Sequence, residues 1–213
     1  MESVKPTQLL PKGYIPAGKF DLNDNRGLAM ILNLVGIGLL FGVGWLLLRS
    51  LSFLRPEYLS TENILVITGM REFWRNILVL VVSLGLMIGL NEGMRGLLFW
   101  MVIQQRPKLG LKGLYTFAFA LDWYLPRRTY LFIRLTPILI VTLLGLVAVP
   151  MVPLNLVPGV LLLVSLNIAG AISDLVTTYW LLGKPKGLLV LDHGDEVRIF
   201  LPREKTFLEG QDG

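Results

Sequence analysis

The stretch Leu28–Leu48, LAMILNLVGIGLLFGVGWLLL, carries no charged side chain and is closed by Arg49. At about 1.5 Å of rise per residue, a helix of this length crosses a hydrocarbon core about 30 Å thick. A soluble amphipathic helix would set charges along one face, whereas here charge is excluded from every face, so lipid is part of the solvent. Composition agrees: the 213 residues are 54% hydrophobic and only 16% charged, with a mean hydropathy of +0.64. That is too apolar for an ordinary soluble domain. The absence of cysteine excludes disulfides, thiolate catalysis and cysteine-built zinc or iron–sulfur sites. A net charge of +5 and a pI near 9.6 raise the question of nucleic acid. No Lys/Arg run is interleaved with aromatics, so no nucleic-acid partner is expected, and the basic residues are read as setting membrane topology.

Working outward, three further segments are long and apolar enough to span: 76–103, 136–151 and 159–182. Together with 28–48 they predict an all-α membrane protein of about four transmembrane helices. Pro150, Pro153 and Pro158 predict a tight reversal between the third and fourth spans. Residues 1–27 are read as an N-terminal tail and not a signal peptide, because Glu2, Asp21 and Asp24 precede an apolar run too long for one. Between the second and third spans, residues 108–135 hold Tyr115, Phe117, Phe119, Trp123, Tyr124, Tyr130 and Phe132 with Arg127 and Arg128. Aromatics and arginine together favour the headgroup zone, which predicts a short extended or interfacial insertion. In the tail, residues 183–213, Gly187–Leu191 faces Val197–Phe200 across His193-Gly194-Asp195 and predicts a β-hairpin. With four spans, fifteen positive residues fall on the side of the termini: Lys5, Lys12, Lys19, Arg26; Arg106, Lys108, Lys112, Arg127, Arg128, Arg134; and Lys184, Lys186, Arg198, Arg203, Lys205. Four, Arg49, Arg55, Arg71 and Arg75, fall on the other. Both termini are therefore expected in the cytoplasm.

Two polar clusters interrupt the apolar spans. In the second, Asn91-Glu92-Gly93-Met94-Arg95 is followed by the bulky run Leu97-Leu98-Phe99-Trp100. Its spacing resembles H-E-x-x-H, in which two histidines one turn apart bind zinc and the glutamate activates a water. In the fourth span, Asn167, Gly170, Ser173 and Asp174 share a helix. With Arg127-Arg128-Thr129-Tyr130 leading to Leu135-Thr136-Pro137, and Lys184-Pro185 before the tail hairpin, the order of motifs over about residues 75–200 resembles the DUF3267 family of zincin peptidases. The family's members are multi-span bacterial membrane proteins similar in pattern to site-2-type intramembrane proteases. The resemblance implies a bacterial plasma-membrane protein, a zinc cofactor, and a role for Asp174 like that of a third metal ligand.

The departure from that pattern carries its own expectation. Asn91 and Arg95 stand where the ligating histidines would be; asparagine is a poor zinc ligand, and a permanently protonated guanidinium repels a divalent cation. His193, the one histidine, lies in the tail. The ligands for zinc are thus missing, and neither cofactor nor metal is expected. Instead, Glu92 and Arg95 lie three apart on one helical face, and Asp174 is expected to meet them if the family arrangement holds, giving a degenerate, metal-free site of Asn91, Glu92, Arg95, Asn167 and Asp174. On that basis Arg95→Ala is damaging and Asp174→Ala nearly silent in an Arg95→Ala background. The plainer readings stand beside this one: a structural ion pair in a helix bundle, Asn167 and Ser173 as interhelical hydrogen-bonding residues, Gly170 as a close-approach position, and His193 as a turn residue. The function expected is an inactive zincin-like scaffold that binds transmembrane client proteins. An active hydrolase or metallopeptidase using Glu92 and Asp174, and a small transporter subunit, remain alternatives. The expected partners are the lipid bilayer, such clients and a second copy of the chain; Gly36, Gly38, Gly42 and Gly44 of the first span suggest either tight helix packing or dimerisation through small-residue spacing.

Overall fold

In the computed structural model, residues 5–22, 24–54, 56–59, 69–104, 108–112, 115–119, 123–193 and 196–203 are described. Among the described residues, four helical segments are long and apolar enough to cross a membrane: Arg26–Phe53, Met70–Ile103, Arg127–Ala148 and Leu154–Leu182. In chain order the elements are β1 (Tyr14–Asp21), α1 (Arg26–Leu54), α2 (Pro56–Leu59), α3 (Met70–Ile103), β2 (Lys108–Lys112), β3 (Tyr115–Phe119), β4 (Leu125–Pro126), α4 (Arg127–Ala148), a short 3-10 turn at Leu154–Leu156, α5 (Val157–Gly170), α6 (Ile172–Leu182), β5 (Leu189–Asp192) and β6 (Glu196–Pro202). The four apolar helices, the extended insertion (β2 paired with β3) and the C-terminal hairpin expected from the sequence are all present.

The chain divides into two compact units. The first, residues 32–91 and 137–173, is built of helices and has no strand among its described residues. Its outer surface is apolar, with Phe41, Trp45, Leu78, Val81, Leu143 and Leu144 all exposed. So much contiguous apolar surface is stable only against lipid. With lipid as solvent, close packing and polar bonds hold the helices together. Gly145 illustrates the packing: a Cβ built there would overlap Val164 Cγ2. At Gly36 a Cβ would come within 3.3 Å of the Ala169 carbonyl. Ser83 Oγ donates to the Gly159 carbonyl at 3.1 Å, joining α3 to α5. Leu51, Val149, Val157 and Leu161 form one buried apolar cluster within this unit.

The second unit, residues 1–31, 92–136 and 174–213, carries the antiparallel sheet β1-β6-β5-β4 and parts of four helices, α1, α3, α4 and α6. Period-two alternation sends the side chains of β5 and β6 to opposite faces. Val190, Val197, Ile199 and Leu201 pack with Phe99, Tyr130, Ile133, Leu181 and Leu188, while Leu189, Leu191 and Phe200 pack with Leu10, Tyr14 and Tyr124. The expected hairpin has the register Leu189↔Phe200 to Asp192↔Val197, and His193 N–H closes its turn on the Glu196 carbonyl at 2.9 Å. Gly194 and Asp195 of that turn lie outside the described residues, as do Arg55, Arg106 and Lys205 among the topology-setting charges.

Three local expectations are corrected. Residues 14–21 of the N-terminal tail form β1, paired from Tyr14↔Pro202 to Asp21↔Glu196 with a bulge between Pro16 and Gly18. Residues 127–135 are helical, so α4 starts nine residues before the expected boundary at 136 and runs through Pro137. At that start Arg127 Nη1 donates to the Leu181 and Lys184 carbonyls at 3.2 and 2.7 Å, satisfying acceptors at and just beyond the end of α6. The fourth span is interrupted at Ala171, whose N–H bonds the Ile168 carbonyl at 3.2 Å in a tightened turn. A fresh helix N-terminus follows, and Asp174 sits in its first turn, where the positive end of the helix favours a carboxylate.

Candidate functional site

The sheet-bearing unit gathers the charged residues singled out in the sequence. Glu92 and Arg95 lie one turn apart on α3, and Arg95 Nη1 donates to Glu92 Oε1 at 3.0 Å. Arg95 Nη2 donates to Asp174 Oδ2, so one guanidinium spans carboxylates from α3 and α6. The Asp174 side chain is 8% exposed, and its other oxygen is also engaged: Arg134 Nε donates to Oδ1 at 2.7 Å. Asp174 is therefore held between two guanidiniums.

Arg134 extends the network. Its Nη1 donates to Asp192 Oδ2 at 2.9 Å and to Tyr130 Oη, while Tyr130 Oη donates to the same Asp192 oxygen at 2.8 Å. The Arg134 guanidinium also sits 5.5 Å from the Tyr130 ring centroid. This part of the site was missed in the sequence, where Arg134 is counted only as a topology charge. A signal was present: Arg127, Tyr130 and Arg134, at spacings of three and four, fall on one face of a helix once 127–135 is read as helical. The second guanidinium also corrects the expected mutant behaviour. Because Arg134 also bonds Asp174, Asp174→Ala is expected to remain costly in an Arg95→Ala background.

The two asparagines belong to the helical unit, where they form a neutral relay. Asn91 Nδ2 donates to Asn167 Oδ1 at 2.8 Å and to the Met87 carbonyl at 3.1 Å. Asn167, 2% exposed, passes its own Nδ2 to the Ile138 carbonyl at 3.0 Å and to Thr142 Oγ1 at 2.9 Å. Asn167 thus bonds α3 to α5 and α5 to α4, the interhelical role expected for it. Asn91 Oδ1 here, and Arg95 Nε and Thr178 Oγ1 in the other unit, are buried without a hydrogen-bond partner among the described residues.

Four membrane-length helices, with buried ionic groups held by side chains from three of them, define the class: an integral, polytopic helical membrane protein. Residues 84–189 match the model of the family DUF3267, described as "Putative zincin peptidase". Over that segment, which holds Asn91, Glu92, Arg95, Asn167 and Asp174, the chain belongs to the DUF3267 family. No curated protein and no solved structure matches the chain.

Proposed function

We propose that this DUF3267 protein is a catalytically degenerate relative of zinc-dependent intramembrane peptidases, a membrane scaffold in which Arg95 supplies the positive charge that a metal supplies in active relatives. The observation that carries this reading is the bonding of one guanidinium to both Glu92 and Asp174. The residues do not suit zinc. A fixed cation lies between the two carboxylates, both Asp174 oxygens accept from arginine, and the Asn91 amide nitrogen is committed to Asn167 and Met87. Among the described residues, no three His, Cys, Asp or Glu side chains converge in a metal-binding group. No hydrolytic step is therefore routed through a metal. The retained activity is the binding of transmembrane client helices without cleavage, a role that the intact set of spans supports.

Metal content and in-membrane cleavage of single-span reporters, measured on the same purified protein, test this. The native chain is expected to carry no stoichiometric divalent ion and to leave the reporters intact. Asn91→His with Arg95→His is expected to gain about one zinc per chain, since it restores two imidazole ligands one turn apart. A stoichiometric divalent ion in the native chain, lost on Asp174→Asn, would replace this reading with an active carboxylate-based hydrolase. Client binding is read by photo-crosslinking from exposed Leu97, where capture of uncut reporter helices is expected.

A further inference from the structure

The Arg134 network reaches from a helix of the candidate site to the sheet. Asp174 is on α6, Arg134 and Tyr130 are on α4, and Asp192 ends β5 of the C-terminal hairpin. One guanidinium serves carboxylates of two different elements, bonding Asp174 through Nε and Asp192 through Nη1. Tyr130 Oη closes a triangle, accepting from Arg134 and donating to Asp192. The surroundings are apolar: Ile133, Leu181, Leu188 and Val190 are buried in the same cluster as Tyr130. The Arg134 side chain is only 14% exposed, so it cannot exchange a lost carboxylate for bulk water without moving.

We propose that Arg134, with Tyr130 and Asp192, is an electrostatic latch that fastens the β5–β6 hairpin to Asp174, so that a change at either carboxylate is felt at the other. When Asp174 is neutralised, Arg134 keeps Asp192 as its anionic partner and follows that carboxylate toward water, loosening the end of β5. When the hairpin lifts, Arg134 loses one of its two anionic partners and its hold on Asp174 is reset. Coupling through a shared group is reciprocal by thermodynamic necessity. The latch rests on Arg134 and not on Arg95, so it stands whether or not the site proves to bind metal.

Hydrogen exchange on the full-length protein in lipid nanodiscs tests it. Asp174→Asn is expected to speed exchange at Leu189–Asp192 about tenfold. Asp192→Asn is expected to speed exchange in the first turn of α6 by a similar factor. Exchange that rises only in the element carrying the substitution overturns the latch. If either neutral variant fails to accumulate, Arg134→Lys carries the same test, because lysine keeps the charge but lacks the fork that spans two carboxylates. Faster exchange in both β5 and α6 supports the latch; protection unchanged in either one overturns it.

Discussion

Two polar networks among the described residues are built on opposite principles. In the helical unit, Asn91, Asn167 and Thr142 form a neutral relay that asks nothing of charge, and the central Asn167 has both ends of its amide bonded. In the sheet-bearing unit, Glu92, Arg95, Asp174, Arg134 and Asp192 form an alternating chain of acids and bases in which every inner member serves two neighbours. Neutral bonds between helices in lipid contribute little each, because the separated helices find other partners. Buried charges differ: the assembled set adds little net stability, yet removing one member leaves its neighbours charged and desolvated. The relay works as glue, whereas the ionic chain is fragile when incomplete and therefore suited to transmitting a local change.

Arg134→Ala breaks the comparison hardest, since it removes the one guanidinium that Asp174 and Asp192 share. A loss of about 3–5 kcal/mol is expected, measured as unfolding free energy in mixed micelles titrated with denaturing detergent. Adding Asp174→Asn and Asp192→Asn to an Arg134→Met chain should recover much of that loss, because the uncompensated charges are gone. A stability of Arg134→Ala within about 1 kcal/mol of the native chain would show that the ionic chain is solvated, and the contrast between the networks would collapse. In the smaller cycle of Arg95→Ala with Asp174→Ala, a coupling of about 0.5–3 kcal/mol is expected, with the second substitution still costly because Arg134 remains.

Asn167→Ala probes the other side. It removes three hydrogen bonds at once, yet the expected loss is only about 1–2 kcal/mol in the same unfolding measurement. A loss as large as that of Arg134→Ala would mean that the neutral relay, not the ionic chain, organises the interior.

What the sequence discloses follows the range of the interactions. Exclusion of charge is local, so the spans are visible in composition alone, whereas the cap of α1, in which Asn25 Oδ1 accepts the Leu28 N–H at 3.1 Å, emerges only in the structure. The β5–β6 hairpin is legible for the same reason, as two alternating runs around a short turn. The Glu92–Arg95 pair is legible from its spacing, but Asp174 is tied to it only through the family resemblance, since nothing local links Asp174 to α3. The pairing of β1 with β6 joins Tyr14 to Pro202 across most of the chain and leaves no local trace. Arg127 and Arg134 misled for a related reason. An arginine in a run of aromatics reads as an interface residue until its partners are known, and those partners are carbonyls and carboxylates far along the chain.

The same two chemical groups also meet outside the membrane-length helices, which isolates the effect of the medium. On β6, Arg198 donates to both oxygens of Glu196, at 2.7 and 2.9 Å, in an exposed fork. Those bonds hold the Glu196 carboxyl below its ordinary value of 4.5, with Arg198 and Lys19 adding attraction. Since the folded value is depressed, the pair's contribution is present above about 4.5 and fades as pH falls through the lower folded value. Glu196→Gln is therefore expected to flatten the acid dependence of β6 hydrogen exchange between about pH 6 and about pH 3, by a small amount, because water and salt screen the pair. The geometry of this fork is as good as that of any pair around Asp174, so its effect should be the smallest of the set only if desolvation sets the magnitude. An acid response at β6 as large as the loss in Arg134→Ala would assign the strength of these bonds to geometry and remove burial from the account.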